Sequence, residues 1–181
     1  VVFKSISESV GDLSFVRVFS GALKSGEDVF NTSRRANERI GQIYSMNGGQ
    51  REDMPAIGAG DIGALIKLKD THTGNTLCGK SVHLEVPPVE FPHSLIRVAV
   101  ETKSRGDEDK IGTGLQHIHE EDPSFVSKFD PELHQIIAEG QGELHLTVVF
   151  AKLKKKYGVD VELVEPRIPY RETIQSSAED Q

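Results

Sequence analysis

The stretch from Pro87 to Pro92 constrains this chain more than any other feature. Pro87-Pro88 and Phe91-Pro92 remove backbone donors and push the residues before them away from helical angles. Hydrophobic patterning changes across the stretch, from short Gly-punctuated apolar runs to alternating runs mixed with helical periodicity. Charge changes there too: Val1 to Glu90 holds 10 basic and 11 acidic residues, and Phe91 onward holds 11 basic and 17 acidic. This places a domain boundary at the prolines. The 181 residues divide into one domain over 1–90 and a second over 91–166. Residues 167–181 begin a further domain or form a tail, with Ser176 to Gln181 unanchored.

The first domain reads as all-β. Val1–Glu8, Leu13–Ser20, Asp28–Thr32, Glu38–Met46, Asp61–Leu68 and Val82–Val86 are rich in Val, Ile, Phe and Tyr, and glycine-bearing breaks separate them. In the second run, Leu13, Phe15, Arg17 and Phe19 share one side of the pleat, while Val16 and Val18 face the other. Apolar residues on both faces suit a closed barrel better than a one-sided sheet.

The second domain alternates strand and helix. Ser94–Thr102 is strand-like. Asp107–Asp122 carries Ile111, Leu115 and Ile118 at helical spacing, acids in its first turn and a proline after its end, although Gly112 and Gly114 weaken it. Ser124–Phe129 and Gln135–Glu139 are two strands around Asp130-Pro131. Glu143–Tyr157 is a helix with the stripe Leu146, Phe150, Leu153 and Tyr157, lysines toward its end, and Gly158 for a left-handed cap. Val159–Leu163 closes the series as a strand. The order βαββαβ is a ferredoxin-like α+β sandwich.

A net charge of −7 excludes a generic phosphate-binding surface. No apolar run approaches the twenty residues of a membrane span, and no signal-peptide pattern stands at Val1. The lone Cys78 cannot form an internal disulfide and fits a reducing cytosol. Gly74-Asn75-Thr76-Leu77-Cys78-Gly79-Lys80-Ser81 matches the phosphate-loop pattern letter for letter. That motif needs a helix after its lysine, so that amides converge on phosphate. Val82–Val86 is β-branched and ends at Pro87, so a turn with Lys80 in solvent is the expected structure.

Other matches read as ordinary chemistry. His117 and His119 lie about 200° apart on a helix, His145 stands two residues from Glu143, and no ligand pattern for structural zinc follows. Glu120-Glu121-Asp122 reads as a solvated helix terminus rather than an acid–base pair. Arg105-Gly106-Asp107 and Asn31-Thr32-Ser33 match an adhesion tripeptide and a glycosylation acceptor, and both read as loops. The Lys152–Lys156 cluster either touches phosphate or complements its own helix dipole. Ser94–Thr102 and Gln135–Glu139 contain no aromatic residue, which disfavours stacking of RNA on the sheet.

One ordered set of segments is more specific than any of these. Arg17–Gly21, Glu38–Gly41, Gly60–Ile62, Leu68–Thr71 with Thr73-Gly74, Glu121–Phe125, Gly142–Leu146 and Tyr170–Ile174 together resemble the middle of bacterial elongation factor G, a translational GTPase. The resemblance implies a translation-factor-type β-barrel followed by the family's third, ferredoxin-like domain. Pro169–Ile174 would lead into a fourth domain, so the chain is expected to be part of a longer protein. GTP and magnesium belong to an upstream domain of the family, which leaves no cofactor and no catalysis for these residues.

By the same resemblance, the partners are small-subunit ribosomal RNA, a small-subunit protein and the GTPase domain of the parent chain. The setting is cytoplasmic, without a membrane, and the state monomeric. Ser124, Phe125, Glu143, His145 and Val149 match segments that face the GTPase domain, where fusidane antibiotics bind. Arg39, Asn47 and Arg51 are candidates for ribosomal RNA contact; for all three a structural role is an equal alternative, in the case of Arg39 a cross-strand ion pair. Two departures mark the sequence as a divergent paralogue. Leu133-His134 replaces a Thr-Gly, which implies a different hairpin turn, and Gln141 replaces a Met between two glycines. A ribosome protection or recycling factor, and a free-standing nucleotide binder using Gly74–Ser81, remain as alternatives.

Overall fold

A computed structural model describes residues 1–8, 11–103 and 108–173, with the side chains of 108 and 109 outside the description. The Arg105–Asp107 tripeptide and the tail from Ser176 lie outside the described residues. The first domain is built from ten strands: β1 (Val2–Glu8), β2 (Gly11–Arg17), β3 (Ala22–Lys24), β4 (Asp28–Asn31), β5 (Ala36–Arg39), β6 (Ile43–Asn47), β7 (Gln50–Met54), β8 (Ala56–Gly58), β9 (Ile62–Ile66) and β10 (Leu77–Cys78). They form antiparallel sheets of order β1-β2-β9-β6-β7, β10-β4-β5 and β3-β8. All three sheets surround one buried core of Val2, Val16, Val29, Ile40, Ile43, Ile57 and Leu65, the arrangement of a β-barrel.

The second domain contains β11 (Ile96–Thr102), α1 (Glu108–Glu121), β12 (Val126–Asp130), β13 (Gln135–Gly140), α2 (Glu143–Tyr157) and β14 (Val161–Val164). Its sheet runs β12-β13-β11-β14, antiparallel throughout, the ferredoxin-like order. Both helices lie on the same core: Ile111, Leu115 and Ile118 from α1 meet Leu146, Val149, Phe150 and Leu153 from α2, with Phe125 fully buried between. Gly114 has a packing reason. A Cβ there would stand 2.6 Å from Leu153 Cδ1 and 3.3 Å from the Tyr157 ring, so the helices approach only over hydrogen. Gly158 ends α2 with φ 69° and donates to the Lys154 carbonyl, as expected from the sequence.

Several expectations are corrected. Val82–Val86 is not a strand. Its backbone is held by side chains instead: the Val86 amide donates to Thr76 Oγ1, and the Leu84 carbonyl accepts from Thr32 Oγ1 and Cys78 Sγ. Glu38–Met46 breaks at Gly41 into β5 and β6. Lys80 is exposed to solvent, as expected, and its ammonium makes a surface ion pair with Asp28 at 3.1 Å. The β12–β13 hairpin keeps a left-handed residue: His134 stands at φ 48°. A Cβ in that region costs on the order of 1–2 kcal/mol. The Asp130 carboxylate offsets part of this by accepting from the amides of Glu132 and Leu133.

Glu38 is the most consequential buried charge in the barrel. It is 3% exposed, and its carboxylate accepts from the amides of Lys69 and Asp70 and from the Thr71 hydroxyl. The side-chain amide of Asn31, also buried, donates to the Asp70 carbonyl, Thr71 Oγ1 and Asn75 Oδ1. Thus β4 and β5 fix the segment leaving β9. Removing the carboxylate leaves three donors unsatisfied at roughly 1–3 kcal/mol for such a buried group. Glu38→Ala is expected to lower the barrel's stability by about 3 kcal/mol in urea denaturation followed by circular dichroism, and Glu38→Gln by less.

Candidate functional site

The end of α1, the turn into β12 and the start of α2 meet at one polar cluster. Asp122 follows the last turn of α1, and Pro123 prevents the helix from continuing. Its carboxylate accepts from the Ser124 amide at 3.1 Å and hydroxyl at 2.6 Å, an Asx turn closed by the Asp-Pro-Ser spacing. His145 reaches the other oxygen, with Nε2 at 3.0 Å from Asp122 Oδ2. The opposite ring nitrogen, Nδ1, lies 3.0 Å from the Gln141 amide, which can only donate. Nδ1 is therefore the acceptor and Nε2–H the donor, which fixes the neutral tautomer. The ring stands edge-on to Phe125, at 6.4 Å between centroids.

Gln141 completes the cluster. Its side-chain amide donates to the Pro92 carbonyl at 3.1 Å and the His93 carbonyl at 3.0 Å. The residue that departs from the family pattern therefore ties α2 to the proline junction, a donation that a thioether cannot make. Beside it, Ser94 Oγ donates to the Ser124 carbonyl at 3.5 Å.

The structure brings Ser124, Phe125 and His145 together. Phe125 and Val149, at 0% and 2% exposure, belong to the domain's own core and shape the surface from beneath. Glu143 is exposed at the first turn of α2, where a carboxylate complements the helix dipole. In the barrel, Arg39 lies on β5 with its guanidinium 3.6 Å from Asp28, its cross-strand partner, and its side chain is 74% exposed. Asn47 and Arg51 lie on the β6–β7 hairpin. Arg51 is ion-paired with Glu8, its guanidinium 5.9 Å from the Tyr44 ring centroid. Asn47 is exposed beside the turn, whereas Arg39 belongs to a different sheet.

The phosphate-loop match has no anion cradle. The Gly74 amide donates to the Val2 carbonyl, Asn75 to the His72 carbonyl and Thr76 to Ser33 Oγ, while Leu77 and Cys78 are the β10 ladder. No helix follows Lys80 among the described residues up to Thr102. Nor do three or more His, Cys, Asp or Glu side chains gather around a metal-sized point among the described residues. His119 Nδ1 donates to the Phe125 carbonyl, and His117 stands edge-on to Tyr157.

Sequence reasoning missed Gln141 as a clamp and Asp122 as the organiser of the cluster. The Asp-Pro-Ser spacing carried the second signal. Burial works to raise the Asp122 carboxyl, but the Ser124 hydroxyl and amide and His145 outweigh it and hold the group below its ordinary value. A lowered folded-state value means that this contribution is present above the unfolded value near 4 and is lost as pH falls through the folded one. Asp122→Asn is expected to cost about 1 kcal/mol at neutral pH, because the group is partly screened by solvent and the amide oxygen still accepts. The same variant should flatten the acid limb of thermal stability measured between about pH 5 and pH 2.

Two family models match this chain: residues 11–78 that of elongation factor Tu domain 2, and residues 91–165 that of elongation factor G, domain III. The crystal structure of a protein from Thermus thermophilus is similar, with 30% identity and a TM-score of 0.82 over 94% of this chain. The present chain spans 26% of that protein's length. No helix among the described residues is long and apolar enough to cross a membrane. Both matched domains are non-catalytic parts of elongation factors, and they follow each other along the sequence without overlap. The chain belongs to the elongation factor G type and covers its second and third domains.

Proposed function

We propose that this chain is the ribosome-binding, interdomain-coupling portion of an elongation-factor-G-like translational GTPase acting in cytoplasmic protein synthesis. The reading rests on one observation above all: a domain 2 and a domain III follow each other in a single chain, matched over residues 11–78 and 91–165. In this reading the parent protein promotes movement of tRNA and mRNA, and GTP with magnesium sits in a domain outside this segment. The barrel meets small-subunit ribosomal RNA, with Arg39, Asn47 and Arg51 as contacts. Arg51 is oriented by Glu8 and Tyr44 rather than free to sample, which lowers the entropy cost of engaging phosphate.

The second domain meets the GTPase domain and a small-subunit protein through the surface around Ser124, Glu143 and His145, and the unit acts as a monomer. Its task is mechanical. A rigid two-layer domain transmits a change at one face to another only if it makes different contacts in the two states. The Asp122–His145–Gln141 cluster stiffens that face and joins it to the linker at Pro92 and His93. Gln141 and Leu133-His134 favour a divergent paralogue as the parent.

The test is co-sedimentation of the full-length protein with ribosomes across a salt series, beside a translocation assay. Arg39→Ala combined with Arg51→Ala is expected to weaken association by about 3–30-fold and to reduce the salt slope by roughly 1 to 2. Unchanged affinity and slope would remove these residues from the interface. Absence of translocation by a ribosome-bound protein would favour a protection or recycling role.

A further inference from the structure

The two hydrophobic cores share no residue, and hydrogen bonds and ion pairs join the domains between them. β1 is an edge strand of the barrel's largest sheet: its ladder is with β2 alone, and on its other side Val2 meets the turn at Gly74 and Asn75. An edge strand leaves outward N–H and C=O groups that need a cover. At Ser7 that cover comes from the second domain. The Ser7 amide donates to Glu121 Oε1 at 3.0 Å, and Lys156 Nζ donates to the Ser7 carbonyl at 3.2 Å. Lys156 and Glu121 are themselves ion-paired, which closes a triangle across β1, α1 and α2. The Glu121 side chain is only 9% exposed.

A second contact lies nearby. His72 Nδ1 is 2.8 Å from Glu120 Oε2, its Nε2 is 3.5 Å from Asp70, and Arg34 donates to the same Asp70 carboxylate. Thr73 Oγ1 donates to the Glu120 carbonyl at 3.4 Å. The acids expected to form a solvated terminus are instead the ones that hold the barrel, and Lys156 is neither a free phosphate contact nor merely a dipole complement.

We infer that Glu121 and Lys156 form a releasable latch that caps the barrel's edge strand at Ser7 and fixes the orientation of the two domains, with His72–Glu120 as its second point. The latch is polar: opening it returns the Ser7 amide and carbonyl, the Glu120 carbonyl and the side chains of Glu121, Lys156, Glu120 and His72 to water. Water replaces each lost hydrogen bond at little net cost, which is what a separable joint requires. Its energy comes chiefly from the nearly buried Glu121 carboxylate, which is stranded when Lys156 is removed. This inference concerns contacts within the chain and does not depend on the ribosomal reading.

Hydrogen exchange at the Ser7 amide, followed by NMR in the whole 181-residue chain, tests it directly. In the wild type the amide is protected although it points off the edge of the sheet. Lys156→Met and Glu121→Gln are each expected to speed its exchange at least tenfold. They should also broaden the interdomain orientation seen in residual dipolar couplings, while amides inside both cores, such as that of Ala138, keep their rates. His72→Ala, placed on the barrel side and outside both cores, should broaden the orientation as well. It separates opening of the joint from damage to α1 if the Glu121 variant unfolds. Ser7 exchange at the rate of an open amide in the wild type would overturn the inference, as would unchanged Ser7 rates and couplings in Lys156→Met and His72→Ala.

Discussion

The carboxylate of Glu38 and the side-chain amide of Asn31, both buried in the barrel, bind the chain between Lys69 and Asn75 through six hydrogen bonds. Burying a charge costs several kcal/mol unless its hydrogen bonds are supplied, so the carboxylate and the loop stabilise each other or neither forms. Their joint geometry returns the chain to β1, where the Gly74 amide meets the Val2 carbonyl, and then to β4 through β10. The path also carries His72 and Thr73 to the second domain. The return of the chain to β1 and β4, the fate of the phosphate-loop lookalike and the position of the interdomain joint all depend on this fixation.

The second domain is organised in a similar way around Asp122. One carboxylate sets the turn into β12, orients His145 and, through Gln141, the proline junction. Both ring nitrogens of His145 are engaged, one by the Asp122 carboxylate and one by the Gln141 amide. The two domains have separate cores, joined by a clamped linker and a polar seam.

Much of this was legible in residue order. The βαββαβ series and the Gly158 cap follow from periodicity and backbone sterics. β7 escaped notice because Arg51, Glu52 and Asp53 give an edge strand with no buried face, and β3, β8 and β10 are two or three residues long. Val82–Val86 has strand composition, yet its backbone finds side-chain partners before any ladder. The acids at 120–121 looked solvated because their partners are distant in sequence, Ser7 lying 114 residues from Glu121. His134 held its left-handed angle against propensity because hairpin register and the Asp130 side chain demanded it. Local pattern carries no trace of such long-range satisfaction.

Calorimetric titration of the chain with GTP and with ATP, in parallel with Lys80→Ala, bears most directly on the claim that these residues supply mechanics and no nucleotide chemistry. With the amides of Gly74, Asn75 and Thr76 committed to the fold and Lys80 paired to Asp28, no heat of binding is expected at millimolar nucleotide in either protein. Micromolar binding that disappears in Lys80→Ala would contradict the account.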